Sequence, residues 1–279
     1  MSIAGGLEKA LLRGKKRGCN VIQIFTRNSN RWDAKPLEKD EIGRFQEVQK
    51  ETAVEPVSVH DSYLINLASP RRDVRERSVT ALFDEIKRTE ALNIPFLVMH
   101  PGAHLGEGEK VGIRRISEAF NRLFEALGRT PVTILLETTA GQGSSLGYRF
   151  EHIAEIIERV RQENRFGVCL DTCHVFAAGY DFRTPEKYED LIEHFEKIVG
   201  LERLKLFHFN DSKRELGSRV DRHEHIGQGK IGKAGLTYFL RDGRFKDLPF
   251  LLETPKGKDS RGRDLDEVNL KLMRKILEG

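Results

Sequence analysis

The chain has 279 residues, of which 38% are hydrophobic and 32% charged, and its formal net charge is +4. This composition is that of a globular protein and excludes disordered and fibrous classes, while the small positive charge is compatible with a polyanionic partner without requiring one. The longest apolar runs, such as Ile94 to Met99, have about six residues, whereas a membrane-spanning helix needs about 20. We therefore expect no membrane attachment and a cytoplasmic protein.

Short apolar runs recur along the chain and alternate with amphipathic segments of helical periodicity. The predicted strands are Val21 to Phe25, Val57 to Val59, Phe96 to Met99, Val132 to Leu136, Val168 to Leu170, Leu204 to Phe209 and Phe250 to Leu252. The predicted helices begin near Gly6, Leu37, Asp73, Gly112, Phe150, Glu186, Lys233 and Leu265. Strands that alternate with helices predict a parallel sheet, which is either doubly wound or closed into a barrel.

The number of elements favours the barrel. Eight helices match a (β/α)8 TIM barrel, yet the helix near Gly6 has no strand before it. We therefore predict an α/β fold, a (β/α)8 TIM barrel whose first β-strand is missing at the N-terminus, as in a chain that is truncated or read from a late start codon. Since no linker or low-complexity tract divides the sequence, residues 1–279 are predicted to form a single domain.

Six of the seven predicted strands lead directly into a residue type that can bind a metal ion. These residues are His60, His100, Glu137, Asp171, His208 and Glu253. Three more candidates lie in loops, namely His174, Asp221 and His223. In a barrel the carboxyl ends of all strands converge on one face, so the sequence predicts that five histidines and four carboxylates meet there.

This set is difficult to explain without metal ions. A single histidine at a strand end is more often structural, but carboxylates buried together are costly unless cations lie between them. Imidazole and carboxylate donors favour zinc, manganese or iron over magnesium or calcium. Nine ligands suit three ions, whose charge exceeds that of the four carboxylates by two. An anionic substrate is implied, and phosphate fits because paired metal ions stabilise both its attacking and its leaving oxygen.

Seven longer motifs surround these residues. They are HDSYLINL from His60, HPGAHL from His100, ETTAGQG from Glu137, DTCHVFAAGYD from Asp171, HFNDS from His208, DRHEHIGQG from Asp221 and LETP from Leu252. In this order they resemble the endonuclease IV family of apurinic/apyrimidinic DNA endonucleases. The resemblance implies a DNA-repair enzyme that hydrolyses the phosphodiester 5′ to an abasic site, leaves a 3′-hydroxyl and a 5′-deoxyribose phosphate, and trims blocked 3′ ends.

The resemblance also implies a trinuclear zinc mechanism, with three Zn²⁺ per chain for which manganese or iron can substitute. One zinc would be held by His60, His100 and a bridging Glu137, a second by Glu137, Asp171, His208 and Glu253, and a third by His174, Asp221 and His223. Glu137 and Glu253 would be the catalytic carboxylates, and Glu253 would orient the nucleophile.

Four residues are candidates for contact with DNA. Tyr63 and Leu64 follow His60 and would fill the space that an extruded abasic nucleotide leaves, although an apolar pair on such a loop is equally well explained by packing. Asn30, with Arg31 beside it, lies where the family often carries an arginine for the same gap. The implied partner is double-stranded DNA with abasic sites, and we expect a monomer. A DNA substrate also implies a cytoplasmic protein that is nucleoid-associated in a bacterium, or a nuclear or organellar one in a eukaryote.

Two other functions stay open at this point. A metal-dependent sugar isomerase-like barrel shares the fold and a rim of histidines and carboxylates, but typically needs two metal ions. A non-catalytic DNA-damage binder would keep the barrel while the missing strand disabled the site.

Overall fold

A computed structural model describes residues 1–278, in which short strands alternate with longer helices. The strands are β1 (Val21–Ile24), β2 (Glu55–His60), β3 (Phe96–Met99), β4 (Thr133–Glu137), β5 (Phe166–Asp171), β6 (Leu204–His208), β7 (Asp211–Ser212), β8 (His223–Glu224) and β9 (Phe250–Leu251). Seven of them form one parallel sheet in the order β1-β2-β3-β4-β5-β6-β9. The other two, β7 and β8, form an antiparallel pair in the connection between β6 and β9. Each predicted strand overlaps one strand of the large sheet.

Nine α-helices occur within residues 1–278. They are α1 (Glu8–Lys16), α2 (Lys39–Thr52), α3 (Arg72–Ala91), α4 (Glu109–Leu127), α5 (Phe150–Glu158), α6 (Thr172–Ala178), α7 (Pro185–Ile198), α8 (Gly232–Arg241) and α9 (Leu265–Glu278). The sequence pattern does not predict α6, because six of its seven residues are buried and it therefore lacks the polar face of an amphipathic helix. None of the helices in this range combines the length and the apolar character that a membrane span requires.

The alternation of side chains along the strands places the candidate ligands. A small cluster of apolar residues inside the sheet is separate from the larger core around it. Residues two positions apart on a strand face the same side, and five of the six buried residues in this inner cluster, all except Val57, are followed two positions later by a candidate ligand. The pairs are Val98 and His100, Leu135 and Glu137, Cys169 and Asp171, Leu206 and His208, and Leu251 and Glu253. A polar layer therefore lies directly above an apolar layer at the carboxyl ends of the strands.

The barrel has an open seam between β1 and β9. These two strands are neighbours in space, but no backbone pairing joins them within residues 1–278. A cavity of about 580 Å³ lies at this seam, and Met1, Gln23 and Glu253 are among the residues that line it. The N-terminal amine of Met1 donates a hydrogen bond to the carbonyl oxygen of Gln23. The prediction of a TIM barrel with seven of its eight strands is confirmed.

Candidate metal centre

The nine candidate ligands meet at the carboxyl end of the barrel, and two of the three predicted sets form compact groups there. The ligand atoms of His60, His100 and Glu137 lie within 4.8 Å of one another, as do those of Glu137, Asp171, His208 and Glu253. In the third set, Asp221 lies 3.2 Å from His174 Nε2 through one carboxylate oxygen and 3.3 Å from His223 Nε2 through the other. Asp171 also belongs to a group with His174 and His223, so the sets adjoin one another.

Glu137 is the centre of the arrangement. Its Oε2 lies 3.3 Å from Nε2 of both His60 and His100, and its Oε1 lies 3.0 Å from His208 Nδ1 and 3.2 Å from His174 Nδ1. Burial alone would raise the pKa of Glu137, but the positive charges of His208 and His100 outweigh burial and keep that pKa well below its usual range. An ionised carboxylate with one oxygen toward each pair of imidazoles has the geometry of a bridging ligand.

Three of the imidazoles have raised pKa values. Burial alone would lower each of these pKa values, but the acidic surroundings outweigh it. A hydrogen bond with Glu137 raises the pKa of His60, and the charge of Asp171 raises the pKa of His174 well above its usual value. Cys169, Glu253 and Glu137 act in the same direction on the pKa of His208. These imidazoles therefore hold protons that a metal ion would replace.

Two buried nitrogens indicate how a metal would fit. His174 Nε2 and His223 Nε2 form no hydrogen bond within residues 1–278, although both face Asp221. A buried polar atom without a partner costs about 1–3 kcal/mol, so a ligand shared by both nitrogens and the carboxylate would remove this cost. Two imidazoles and a carboxylate are a donor set that zinc prefers, and manganese and iron accept the same donors. The residues present therefore fit the implied metal.

Comparisons with known proteins identify the family. A family model described as a xylose isomerase-like TIM barrel matches residues 11–276. A Chloroflexus aggregans protein named "probable endonuclease 4" is 51% identical over 278 residues, which cover 99% of this chain and 96% of the relative. A Geobacter sulfurreducens protein of the same name is 50% identical over 277 residues, covering 99% of this chain and 93% of the relative. The chain is a member of the endonuclease IV family.

The structural comparison agrees with this membership. The crystal structure of endonuclease IV from Thermus thermophilus matches with a TM-score of 0.86 at 35% identity, covering 100% of this chain and 97% of that one. A D-tagatose 3-epimerase-like protein matches with a TM-score of 0.75 at 18% identity, over 99% of this chain and 95% of that one, which shows a shared fold alone. The family predicted from the motifs is confirmed.

A second layer of polar residues in this endonuclease IV family member holds the candidate ligands. Asn210 donates from Nδ2 to Asp171 Oδ2 at 2.8 Å and accepts from the backbone N–H of Glu253 at 2.8 Å. The backbone N–H of His174 donates to Asp171 Oδ1, so Asp171 also caps helix α6. His174 Nδ1 lies 2.8 Å from the carbonyl oxygen of Thr138, which orients the ring with Nε2 toward Asp221.

Neither Asn210 nor Thr138 is among the site residues predicted from the sequence. Asn210 lies two positions beyond His208, within the motif HFNDS, so the period of two along β6 and its continuation was a usable signal. Thr138 acts on His174 through its carbonyl oxygen, and a backbone contact leaves no trace in residue type.

Cys173 is a further candidate ligand by position, because its sulfur lies near Asp221 and His223. Burial raises the pKa of this thiol to about 12, and Sγ donates to the carbonyl oxygen of Arg222 at 3.6 Å. Since the thiolate rather than the thiol binds metals, Cys173 is better explained as a packed residue.

The four candidate DNA-contact residues lie on two adjoining loops at the mouth of the site. Tyr63 is 56% exposed, and its ring centroid lies 5.3 Å from that of His60. Leu64 is half-buried, whereas Asn30 and Arg31 are exposed on the loop after β1. Ser62 Oγ donates to the carbonyl oxygen of Ser29 at 2.7 Å, which ties the two loops together.

Proposed function

We propose that this chain is a zinc-dependent DNA-repair endonuclease. It would hydrolyse the phosphodiester 5′ to an abasic site, leave a 3′-hydroxyl and a 5′-deoxyribose phosphate, and trim blocked 3′ ends. The observation that carries the proposal is the convergence of nine ligand-type side chains around buried Glu137, in a chain that belongs to the endonuclease IV family. Relatives named endonuclease 4 and matched along nearly their whole length support the same activity.

Three zinc ions would occupy the three groups. His60, His100 and Glu137 would hold one ion, Glu137, Asp171, His208 and Glu253 a second, and His174, Asp221 and His223 a third. Bound zinc stabilises charge on phosphate oxygens and lowers the pKa of water toward about 7, which makes a strong nucleophile available at neutral pH. The two positive charges that remain beside the four carboxylates favour the phosphate of a nucleic acid over a neutral sugar.

Glu253 would orient the attacking water. The side chain of Glu253 is 26% exposed, and its Oε2 lies 3.3 Å from His208 Nδ1. Burial raises the pKa of Glu253, but the charge of His208 outweighs burial and the pKa stays below its usual value. Glu253 is therefore ionised at neutral pH and can accept a hydrogen bond from water at the open side of the site.

Tyr63 and Leu64 would engage the damaged duplex. Stacking of a base on an aromatic ring contributes about 1–3 kcal/mol, and the exposed ring of Tyr63 lies beside His60 at the mouth. Asn30 and Arg31, on the adjoining loop, would contact the same gap in the DNA. The partner would be double-stranded DNA with an abasic site, bound by a monomer in the bacterial cytoplasm.

An incision assay tests the proposal against its alternatives. The purified protein is incubated with a duplex that carries one abasic site, with and without chelator, and then with zinc restored. We expect incision on the 5′ side that disappears with chelator and returns with zinc. Tight binding to the lesion without incision in the zinc-loaded protein would support a non-catalytic binder instead. Isomerisation of a free sugar without DNA cleavage would support the sugar isomerase-like alternative.

A further inference from the structure

Gln23, on β1, is a buried amide that contacts two of the candidate ligands of one metal ion. Its Nε2 donates to Glu253 Oε1 at 2.9 Å, and its Oε1 lies 3.0 Å from His208 Nε2. The same Oε1 accepts a hydrogen bond from Ser58 Oγ at 2.9 Å. Gln23 is 8% exposed, and it belongs to none of the motifs that carry the family resemblance.

The contact with His208 decides which of its nitrogens can bind a metal. An amide oxygen only accepts hydrogen bonds, so His208 Nε2 must carry the hydrogen and donate it to Gln23. In the neutral ring the lone pair is then on Nδ1, which faces Glu137 Oε1 at 3.0 Å and Glu253 Oε2 at 3.3 Å. If the amide of Gln23 were rotated by 180°, its oxygen would face the carboxylate of Glu253 and its NH2 group would face the N–H of His208. Both contacts would be repulsive, so the surroundings favour Nε2 toward Glu253 and Oε1 toward His208.

The contact with Glu253 crosses the open seam of the barrel. Gln23 lies on β1, whereas Glu253 follows β9, and no backbone pairing joins these strands within residues 1–278. The carboxylate of Glu253 is held on the β1 side by Gln23, and its backbone is held on the β6 side by Asn210. The hydrogen bond between Gln23 and Glu253 thus joins the two sides of the seam, as backbone hydrogen bonds join neighbouring strands elsewhere in the sheet.

We propose that Gln23 is a positioning residue that fixes the metal-binding nitrogen of His208 and the orientation of Glu253 across the seam. The inference rests on the proposed function in one respect, since it requires that this group binds zinc. It adds a residue from outside the ligand set, on the strand that borders the seam.

Zinc retention tests this role. Gln23→Leu keeps a similar volume but removes both contacts, and we expect one of the three ions to be held 10- to 100-fold more weakly in competition with a chelator. Ser58→Ala is the matched control, because it removes the third hydrogen bond of Gln23 and leaves its contacts with His208 and Glu253 in place. We expect Ser58→Ala to stay within twofold of wild type. Equal retention in Gln23→Leu and wild type would overturn the proposal.

The state of the His208 ring provides a second readout that general destabilisation would not mimic. In zinc-loaded protein with ¹⁵N-labelled histidine, we expect wild type to show a protonated Nε2 and a metal-bound Nδ1 for His208. Gln23→Glu, which is nearly isosteric and keeps an acceptor, should retain this pattern even if Gln23→Leu fails to fold. A folded Gln23→Leu with the wild-type pattern, or a Gln23→Glu without it, would contradict the proposal. Wild-type protein that binds no zinc would contradict the proposed function itself.

Discussion

Glu137→Gln should separate the three metal sites. The substitution keeps the shape of the side chain but removes the charge that lies within 3.3 Å of His60, His100, His174 and His208. Two of the three proposed zinc sets share Glu137, whereas the set around Asp221 does not contain it. We therefore expect zinc content to fall from about three ions per chain to about one. Incision should fall by several orders of magnitude, because the reacting phosphate loses the paired metal ions.

The metal-free form of the same variant isolates the contribution of the charge. Hydrogen bonds to charged groups contribute about 1.5–3 kcal/mol each, and removing one partner from a buried ion pair costs about 3–5 kcal/mol. Glu137 and its neighbours His60 and His208 are all buried, so the upper range applies. We expect the free energy of unfolding in chelator to fall by about 3–5 kcal/mol at pH 7.

Denaturant unfolding in chelator and elemental analysis of dialysed protein measure the two effects. Glu118→Gln on α4 is the control, because it removes an exposed carboxylate that pairs with Arg114 and is not a candidate ligand, and it should change neither quantity. A Glu137→Gln variant that keeps about three zinc ions and incises within threefold of wild type would refute the bridging role.

Three further predictions concern the exposed residues at the mouth of the barrel, the protonated imidazoles of the site and the unpaired edges of β1 and β9. The double substitution of Tyr63 and Leu64 by alanine should weaken binding to an abasic duplex by about 1–3 kcal/mol per lost stacking contact and hardly affect binding to undamaged DNA. Equal losses of affinity for both duplexes would show that the pair has a structural role. Zinc affinity should increase from pH 7 to pH 8, by up to about tenfold for each proton displaced, since the acidic surroundings raise the pKa values of His174 and His208 and zinc must displace the protons that these imidazoles hold. An equal affinity at the two pH values would contradict those shifts. A variant with an extended segment added ahead of Met1 should melt at a higher temperature and lose less stability on chelation than the present chain, because the segment can pair with the free edges of β1 and β9. Identical melting curves would show that the backbone groups at the seam already have hydrogen-bond partners.

Much of the fold could be predicted from the sequence because the signals are local. The apolar runs that form β1 to β6 and β9 are short and separated by amphipathic helices, and a parallel sheet follows from that alternation. The site could be predicted because four strands end in a ligand-type residue, namely His60, Glu137, Asp171 and His208, and a barrel brings all such strand ends to one face. Helix α6 could not be predicted, because a short buried helix has no hydrophobic periodicity.

The supporting residues of the site were harder to predict, since their roles depend on contacts between distant parts of the chain. Gln23 and Glu253 are 230 positions apart, and nothing in the run Val21 to Ile24 indicates that its one polar side chain faces a carboxylate. Asn210 could have been predicted, because it lies two positions after His208 and residues two positions apart on an extended chain face the same side. The pairing of β7 with β8, which places His223 opposite Ser212, depends on tertiary structure and has no signal in two-residue strands.

The most direct test of the account is the fate of solvent oxygen during cleavage. An abasic duplex is cut by zinc-loaded protein in water enriched in ¹⁸O, and both new ends are analysed by mass spectrometry. Hydrolysis on the 5′ side predicts one ¹⁸O atom in the 5′-deoxyribose phosphate and an unlabelled 3′-hydroxyl on the other strand end, with no product in chelator. Cleavage on the 3′ side of the lesion without ¹⁸O incorporation, which marks an elimination reaction, would contradict the proposed metal-dependent hydrolysis.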